Sequence, residues 1–186
     1  PILQEEILEK YNLKNKEYIF TLGRFVEEKG FHYLIDAYVK MDATLKLPLV
    51  IAGDADHPTE YSSSLKEKAK QAGVILPGFI KGNELAQLFA NCKLFVLPSF
   101  YEGLPIALLE AMAYGLPILA SDIRANTQVK MHSDSYFPVG EVDMLKAAME
   151  RKISETNIEI DVYYDMNEYD WNKIANDTLS VYYKHI

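Results

Sequence analysis

The chain of 186 residues is poor in several features that would point to a particular class of protein. It has a single cysteine, Cys92, which excludes an internal disulfide and a cysteine-rich metal site. No apolar run approaches the roughly 18 residues that a membrane-spanning helix needs, and no signal peptide is recognisable. The sequence begins at Pro1 without an initiator methionine, from which we expect a fragment or a processed chain.

Basic residues are fewer than acidic residues. The 19 lysines and arginines against 27 aspartates and glutamates give a formal net charge of -8, which argues against a nucleic-acid-binding surface. The dinucleotide-binding pattern G-x-G-x-x-G is absent, and no Ser-His-Asp arrangement can be assembled. A hydrophobic share of 49% is ordinary for a globular domain with one good core.

The chain does contain a regular alternation of short apolar strands and longer helices. The predicted strands are Tyr18–Leu22, Leu49–Ala52, Val74–Leu76, Leu94–Pro98 and Ile118–Ser121, with a possible edge strand over residues 136–138. The predicted helices are residues 2–12, Phe31–Met41, Tyr61–Gln71, a helix capped by Asn83 that runs to about Asn91, one that begins near Leu104, Glu141–Ile153 and residues 167–183. This alternation predicts an α/β fold with a doubly wound parallel sheet.

We predict a single domain over residues 1–186, with residues 167–186 as a closing helix. Apolar residues recur along one face of that helix: Trp171, Ile174, Ala175, Leu179 and Tyr182. Packing of this face into the core is the expectation, and docking on another domain is the alternative.

Four loops leave the carboxyl ends of predicted strands, where ligands bind in doubly wound sheets. They are residues 23–30, 53–58, 99–103 and 122–127. Their shared position predicts that they form one site.

Two glutamates, Glu102 and Glu110, lie eight residues apart in the stretch from Ser99 to Asp122. Glu102 could be only a first-turn acid that the helix dipole favours, and Glu110 could simply reach water. The alternative is that both carboxylates face one ligand, since eight helical residues span roughly 12 Å. A carboxylate with only uncharged neighbours at helical spacing, as Glu110 has, favours this alternative.

The loop G-R-F-V-E-E-K-G carries two cations, Arg24 and Lys29. A guanidinium fork and a compact ammonium beside a helix start suit a diphosphate, although Glu27 and Glu28 leave a mixed-charge surface loop as the alternative. Gly53 ends a strand where a ligand could approach closely. Asp54, Asp56 and His57 are too sparse a set to predict a metal site.

Four ordered segments carry a family resemblance. They are G-R-F-V-E-E-K-G from Gly23, P-G-F-I and the following E-L-A-Q-L-F, the stretch E-G-L-P-I-A-L-L-E-A-M-A-Y-G-L-P-I-L-A-S-D, and Y-F-P with Gly140. Together they resemble the nucleotide-sugar-binding half of retaining glycosyltransferases of the GT-B fold, in the family 4 group (glycosyl transferases group 1). The resemblance covers about residues 18–183, and the long stretch is similar to that family's E-x7-E motif.

The resemblance implies roles for individual residues. Arg24 and Lys29 would hold the donor diphosphate and stabilise its charge as the sugar departs, and Glu102 would hold the sugar hydroxyls. Glu110 would accept hydrogen bonds from the ribose. The remaining donor-binding residues implied are Gly23, Gly53, Phe79, Ile80, Leu85, Gly103, Leu104 and Pro105, with Phe79 and Ile80 at the base and the amides near Gly103 at the sugar.

The implied activity is retaining transfer of a hexose from a UDP-, GDP- or ADP-sugar to a saccharide or lipid-linked acceptor, in glycan or polysaccharide biosynthesis. No cofactor or metal is expected. A cytoplasmic protein is implied, with membrane contact only through an amino-terminal acceptor domain that this chain lacks, so the chain alone would transfer nothing. A nucleotide-sugar 2-epimerase and a non-catalytic binding module are the alternatives.

The loop after Asp122 departs from the family pattern. Its residues I-R-A-N-T-Q-V lack the glycines usual there, and Gln128 stands where an acid is common.

Overall fold

A computed structural model of the chain describes residues 6–155 and single positions between 164 and 180. Its strands, in chain order, are β1 (Ile19–Leu22), β2 (Leu49–Ala52), β3 (Leu94–Leu97), β4 (Ile118–Ser121) and β5 (Tyr136–Phe137). Within the described residues they form one sheet in the order β2-β1-β3-β4-β5, and each neighbouring pair is parallel.

Seven α-helices connect or flank these strands in the described part of the chain. They are α1 (Glu6–Lys10), α2 (Phe31–Val39), α3 (Glu60–Gln71), α4 (Gly82–Asn91), α5 (Ile106–Ala113), α6 (Arg124–Thr127) and α7 (Val142–Ser154). None of them combines the length and the apolar character that crossing a membrane requires.

The core has two halves, one on each face of the sheet. Consecutive strand residues alternate between them: Phe95 packs in the half that contains helices α1, α4 and α5, and Val96 packs in the half that contains α2, α3 and α7. All four residues of β3 are buried, as expected for a strand covered on both sides. The predicted doubly wound parallel sheet is therefore confirmed.

The sheet order places a crevice between β1 and β3. From β1 the chain moves outward to β2, and it then returns to place β3 on the other side of β1. Helix α2, which follows β1, and helix α5, which follows β3, lie on opposite faces of the sheet. The carboxyl ends of β1 and β3 are therefore the topological switch point, the place where open α/β sheets bind ligands.

Three local expectations are wrong. The strand predicted over Val74–Leu76 is a single bridge in which Ile75 pairs with Val50, because Pro77 has no N–H with which to extend the ladder. Asn83 is not a cap, since α4 already begins at Gly82. Helix α5 begins at Ile106 rather than near Leu104, with Pro105 at the N-cap position.

Other expectations hold. Cys92 is fully buried, and burial raises the pKa of its thiol to about 12. Residues 136–137 form the predicted edge strand.

The closing helix lies largely outside the described residues. The described positions from 172 to 180 are helical, whereas residue 170 is not. Ala175 and Leu179 are exposed, so the expected burial of this face is wrong at those two positions, where no described element covers them. Trp171, Ile174 and Tyr182 lie outside the described residues.

Gly30 joins the two loops that border the crevice. Its backbone has φ +67°, and a Cβ at this position would collide with the carbonyl oxygen of Pro98 at the end of β3. Only glycine allows both the left-handed conformation and this close approach.

We predict that Gly30→Ala is far more destabilising than Gly73→Ala. Gly73 has φ +70° with open space around it, so its replacement should cost only about 1 kcal/mol of backbone strain. Gly30→Ala adds a steric clash with the backbone of Pro98 and should cost more than about 3 kcal/mol. Urea unfolding followed by circular dichroism measures both values, and equal losses would contradict the close approach of the two loops.

Candidate functional site

A cavity of about 360 Å³ opens at the carboxyl ends of β1 and β2. Its lining combines apolar side chains with loop glycines and a few charged groups: Leu22, Gly23, Arg24, Ala52, Gly53, Asp54, Ala55, Asp56, Phe79 and Ile80. Five residues that the sequence predicts as donor-binding therefore share one cavity: Gly23, Arg24, Gly53, Phe79 and Ile80.

Backbone contacts explain why these segments meet. The Gly23 amide donates to the carbonyl of Ala52 at 3.0 Å, and the Gly53 amide donates to the carbonyl of Gly78 at 2.8 Å. Gly53 has φ +124°, and a Cβ there would collide with the Gly23 carbonyl oxygen. The second of these bonds brings Phe79, which is 79% exposed, to the mouth of the cavity.

Arg24 lies at the cavity with only surface partners. Its guanidinium is 3.3 Å from the Asp56 carboxylate and 4.0 Å from that of Glu28, and 58% of its side chain is exposed. Exposed pairs of this kind contribute little to stability. An anionic ligand can therefore take over the guanidinium at small cost.

Lys29 has a closer partner on the other side of the crevice. Its ammonium lies 2.7 and 2.9 Å from the two oxygens of Glu102, and the exposed fractions of the two side chains are only 20% and 7%. The Ser99 hydroxyl donates to the same carboxylate at 2.6 Å. Lys29 and Glu102 thus form a half-enclosed ion pair between the loops after β1 and β3.

Further contacts hold these two loops together. The Phe100 amide donates to the carbonyl of Glu28 at 2.8 Å. The Phe100 ring stacks on His32, with ring centroids 5.8 Å apart. Burial lowers the pKa of this histidine, which also contacts the Tyr61 hydroxyl at 3.0 Å. These contacts hold the loop after β3 against the first turn of α2.

Gly103 and Leu104 are exposed just beyond Glu102. Because α5 begins only at Ile106, these residues belong to the preceding turn rather than to the helix start. Within the described residues, their backbone amides donate to no protein acceptor. They are available to a ligand oxygen, although the sequence predicted them at a helix start.

Glu110 lies on the outer face of α5, between the exposed side chains of Ile106 and Tyr114. No side chain in the described part of the chain pairs with its carboxylate. Partial burial raises the pKa of this carboxyl above its usual value. Glu110 is therefore an unpaired acceptor, which is consistent with a ligand role.

The other seven predicted site residues do not line the cavity: Lys29, Leu85, Glu102, Gly103, Leu104, Pro105 and Glu110. Leu85 packs against the core half that contains α4, although it was expected beside the base. Pro105 is buried, and its carbonyl accepts from the amides of Leu108 and Leu109 in the first turn of α5. Sequence reasoning missed the hydroxyl of Ser99 and the pairing of Asp56 with Arg24. Of these two contacts, only that of Ser99 could have been predicted locally, because Ser99 lies three residues before Glu102.

The model of the family described as "Glycosyl transferases group 1" matches residues 4–169 of this chain. The chain belongs to this family. A curated relative, the O-antigen chain mannosyltransferase B of Escherichia coli, is 25% identical over 183 residues, which are 95% of this chain and 48% of the relative. The chain spans about half the length of the first curated relatives that it matches.

Solved structures of the same fold include a carboxy-terminal domain from the family. The C-terminal domain of the group 1 glycosyl transferase LpcC from Francisella tularensis superposes with a TM-score of 0.72 at 22% identity, covering 87% of this chain and 88% of that one. HepE from Anabaena, solved in complex with UDP-glucose, gives a TM-score of 0.72 at 23% identity over 82% of this chain and 43% of that one. The architecture is therefore that of GT-B carboxy-terminal domains.

We predict that Lys29→Met lowers the free energy of unfolding by about 2 kcal/mol, because it leaves the enclosed Glu102 carboxylate without its cation. The double variant Lys29→Met/Glu102→Gln, which removes both charges, should recover most of that loss. Urea unfolding of the two variants measures the coupling between the residues.

The matched control for this pair is Lys10→Met. Lys10 pairs with Glu84 at 3.2 Å, but the two side chains are 54% and 48% exposed, so only a small change is expected. A loss at Lys10 as large as that at Lys29 would contradict the enclosed character of the Lys29–Glu102 pair.

We predict that Glu110→Gln raises the melting temperature at pH 7. The raised pKa means that the folded chain disfavours the ionised carboxyl, so ionisation costs stability above that pKa. The cost disappears below the unfolded pKa of about 4.3, where both states are protonated. The gain should therefore vanish at low pH in thermal melts.

Glu9→Gln, on the exposed side of α1, controls for the general effect of removing an acid from this chain. A gain that is equal for the two variants, or independent of pH, would contradict the desolvation of Glu110.

Proposed function

We propose that this chain is the donor-binding half of a retaining glycosyltransferase that transfers a hexose from a nucleoside-diphosphate sugar. The observation that carries the proposal is that the Lys29–Glu102 pair lies beside the cavity that Arg24 lines, since the Lys29 side chain runs next to Gly23, which lines the same cavity. Two cations and a carboxylate at the switch point of a doubly wound sheet suit a ligand with a diphosphate next to a polyhydroxylated ring.

The cavity would take the nucleotide. Its apolar wall, which includes Leu22, Ala52 and Ile80, suits the nucleobase, while exposed Phe79 suits a flat ring at the mouth. Gly53 allows the backbone of Gly23 to approach closely, which sets the shape of this part of the cavity. Arg24 exchanges the Asp56 carboxylate for the diphosphate, and Glu110 accepts the ribose hydroxyls.

The crevice would hold the sugar and the reacting bond. As the bond from the anomeric carbon to the diphosphate oxygen breaks, negative charge grows on the leaving phosphate, and Lys29 and Arg24 stabilise it. The carboxylate of Glu102 and the amides of Gly103 and Leu104 position the sugar hydroxyls. The acceptor hydroxyl attacks the same face of the sugar, and its proton passes to the departing phosphate oxygen, which balances the step.

The comparisons support a glycosyltransferase that uses a nucleotide-sugar donor. A relative is named as an O-antigen mannosyltransferase, and a protein of the same fold was solved with UDP-glucose. The first bears on transfer of a hexose in glycan assembly, and the second on a nucleotide-sugar ligand. Because the chain spans about half of such relatives, we propose that the acceptor site belongs to the other half, and that these 186 residues bind donor without transferring it.

The proposal is tested by titrating the chain with UDP-glucose, GDP-mannose and ADP-glucose in a calorimeter, at ligand concentrations up to millimolar. We expect one of these donors to bind and Arg24→Met to weaken that binding roughly 10- to 100-fold, because a charge-assisted contact to the diphosphate is lost.

Arg151→Met is the control. Arg151 is an exposed arginine that pairs with Asp134 on another part of the surface, so its replacement should leave donor affinity unchanged. Absence of binding by all three donors, or equal affinities for the Arg24 variant and the parent chain, would overturn the proposed function.

A further inference from the structure

We propose that Ser99 and Asn126 are positioning residues that fix the Glu102 carboxylate for the sugar of the donor, through a buried hydrogen-bond chain that also includes Ser121. The inference rests on the proposed function, and it gives a role to the loop after β4, which departs from the family pattern.

The first link is the contact between Ser99 and Glu102. Ser99 is fully buried, and its hydroxyl donates to Oε1 of Glu102 at 2.6 Å. The Lys29 ammonium contacts Oε1 at 2.7 Å and Oε2 at 2.9 Å. Oε1 therefore receives two donors and Oε2 receives one. A carboxylate has about four acceptor positions, so Oε2 keeps room for a sugar hydroxyl.

The second link joins β4 to the end of β3. The Ser121 hydroxyl donates to the carbonyl oxygen of Ser99 at 2.5 Å. The side-chain amide of Asn126 donates to both the carbonyl and the hydroxyl oxygen of Ser121, each at 3.0 Å. Because Nδ2 can only donate, the Ser121 hydroxyl must accept from it and donate onward. These bonds end on the backbone carbonyl of Ser99, so Asn126 and Ser121 act on Glu102 by fixing the backbone that carries the Ser99 hydroxyl.

All three residues are fully inaccessible to solvent. Asn126 lies in α6, in the loop whose pattern I-R-A-N-T-Q-V replaces the usual glycines. Its Oδ1 is buried and has no partner within the described residues. A buried acceptor without a donor is unfavourable. The two hydrogen bonds from Nδ2 to Ser121 therefore offset the cost of burying the Asn126 side chain.

The consequence concerns the sugar rather than the nucleotide. Oε2 of Glu102 has an unfilled acceptor position, whereas the nucleotide cavity is lined by other residues. Loss of a link should let the Glu102 carboxylate turn away from the sugar while Lys29 still pairs with it. The measurable quantity is the ratio of affinities for a nucleotide-sugar and for its nucleoside diphosphate.

The experiment is calorimetric titration of the 186-residue chain with UDP-glucose and UDP, and with GDP-mannose and GDP. We expect the parent chain to bind one sugar nucleotide more tightly than its diphosphate. Ser99→Ala should lower this preference about tenfold, with the affinity for the diphosphate unchanged. Asn126→Ala should lower it in the same direction by a smaller factor, since it acts through two intervening contacts.

A double-variant cycle separates positioning from folding. In a Glu102→Ala background, Ser99→Ala should have no further effect on the preference, because the group that it positions is gone. Ser62→Ala is the matched control: Ser62 is a buried serine that closes the capping box of α3, so its loss weakens the fold without touching Glu102. It should leave the preference as in the parent.

Each outcome decides the matter. A preference that Glu102→Ala abolishes but Ser99→Ala leaves intact would overturn the inference while keeping the proposed function. If the effects of Ser99→Ala and Glu102→Ala on the preference were additive, the inference would be overturned. The same holds if Ser62→Ala lowered the preference as much as Ser99→Ala. Equal affinities of the parent for sugar nucleotide and diphosphate would overturn it as well. Absence of any nucleotide binding would overturn the proposed function itself. If Asn126→Ala does not fold, Ser99→Ala, which removes one oxygen atom, carries the test.

Discussion

The loop that follows β1 is fixed to the loop that follows β3, and the candidate site depends on that contact. Three interactions make it: the approach of Gly30 to Pro98, the bond from Phe100 to Glu28, and the ion pair of Lys29 with Glu102. Together they hold a cation and a carboxylate from segments some 70 residues apart in one geometry before any ligand arrives. Preorganised charges of this kind need little rearrangement during a reaction.

Much of this arrangement could be predicted from local sequence. Continuous apolar runs such as L-F-V-L identify buried parallel strands, and the ends of those strands identify the loops that meet at one edge. That reasoning placed Gly23 and Gly53 near one another, the family resemblance added Phe79, and the structure finds all three in one cavity. Errors fell on element ends, where Pro105 and Pro77 decide hydrogen bonding one residue at a time.

Side-chain contacts between residues far apart in the sequence could not be predicted from local sequence patterns. Periodicity shows which face a side chain takes, but the partner of Lys29 is set by how two strand ends are juxtaposed, and no spacing encodes that. The same holds for Leu85, whose apolar side chain suits a base as well as a core, and packs in the core. The burial of Asn126 could not be predicted for a different reason, because the sequence does not distinguish a buried side-chain amide from an exposed one.

The pairing of Arg24 with Asp56 has a consequence for turnover within the proposed function. A phosphate that binds Arg24 must displace the Asp56 carboxylate from the guanidinium. Part of the attraction between Arg24 and the phosphate is therefore offset by the lost attraction to Asp56. When the spent nucleotide departs, the aspartate resumes its place and no bare cation is left behind. Because both side chains are largely exposed, this competition is weak, and Asp56 can return to the guanidinium without greatly lowering the affinity for the nucleotide.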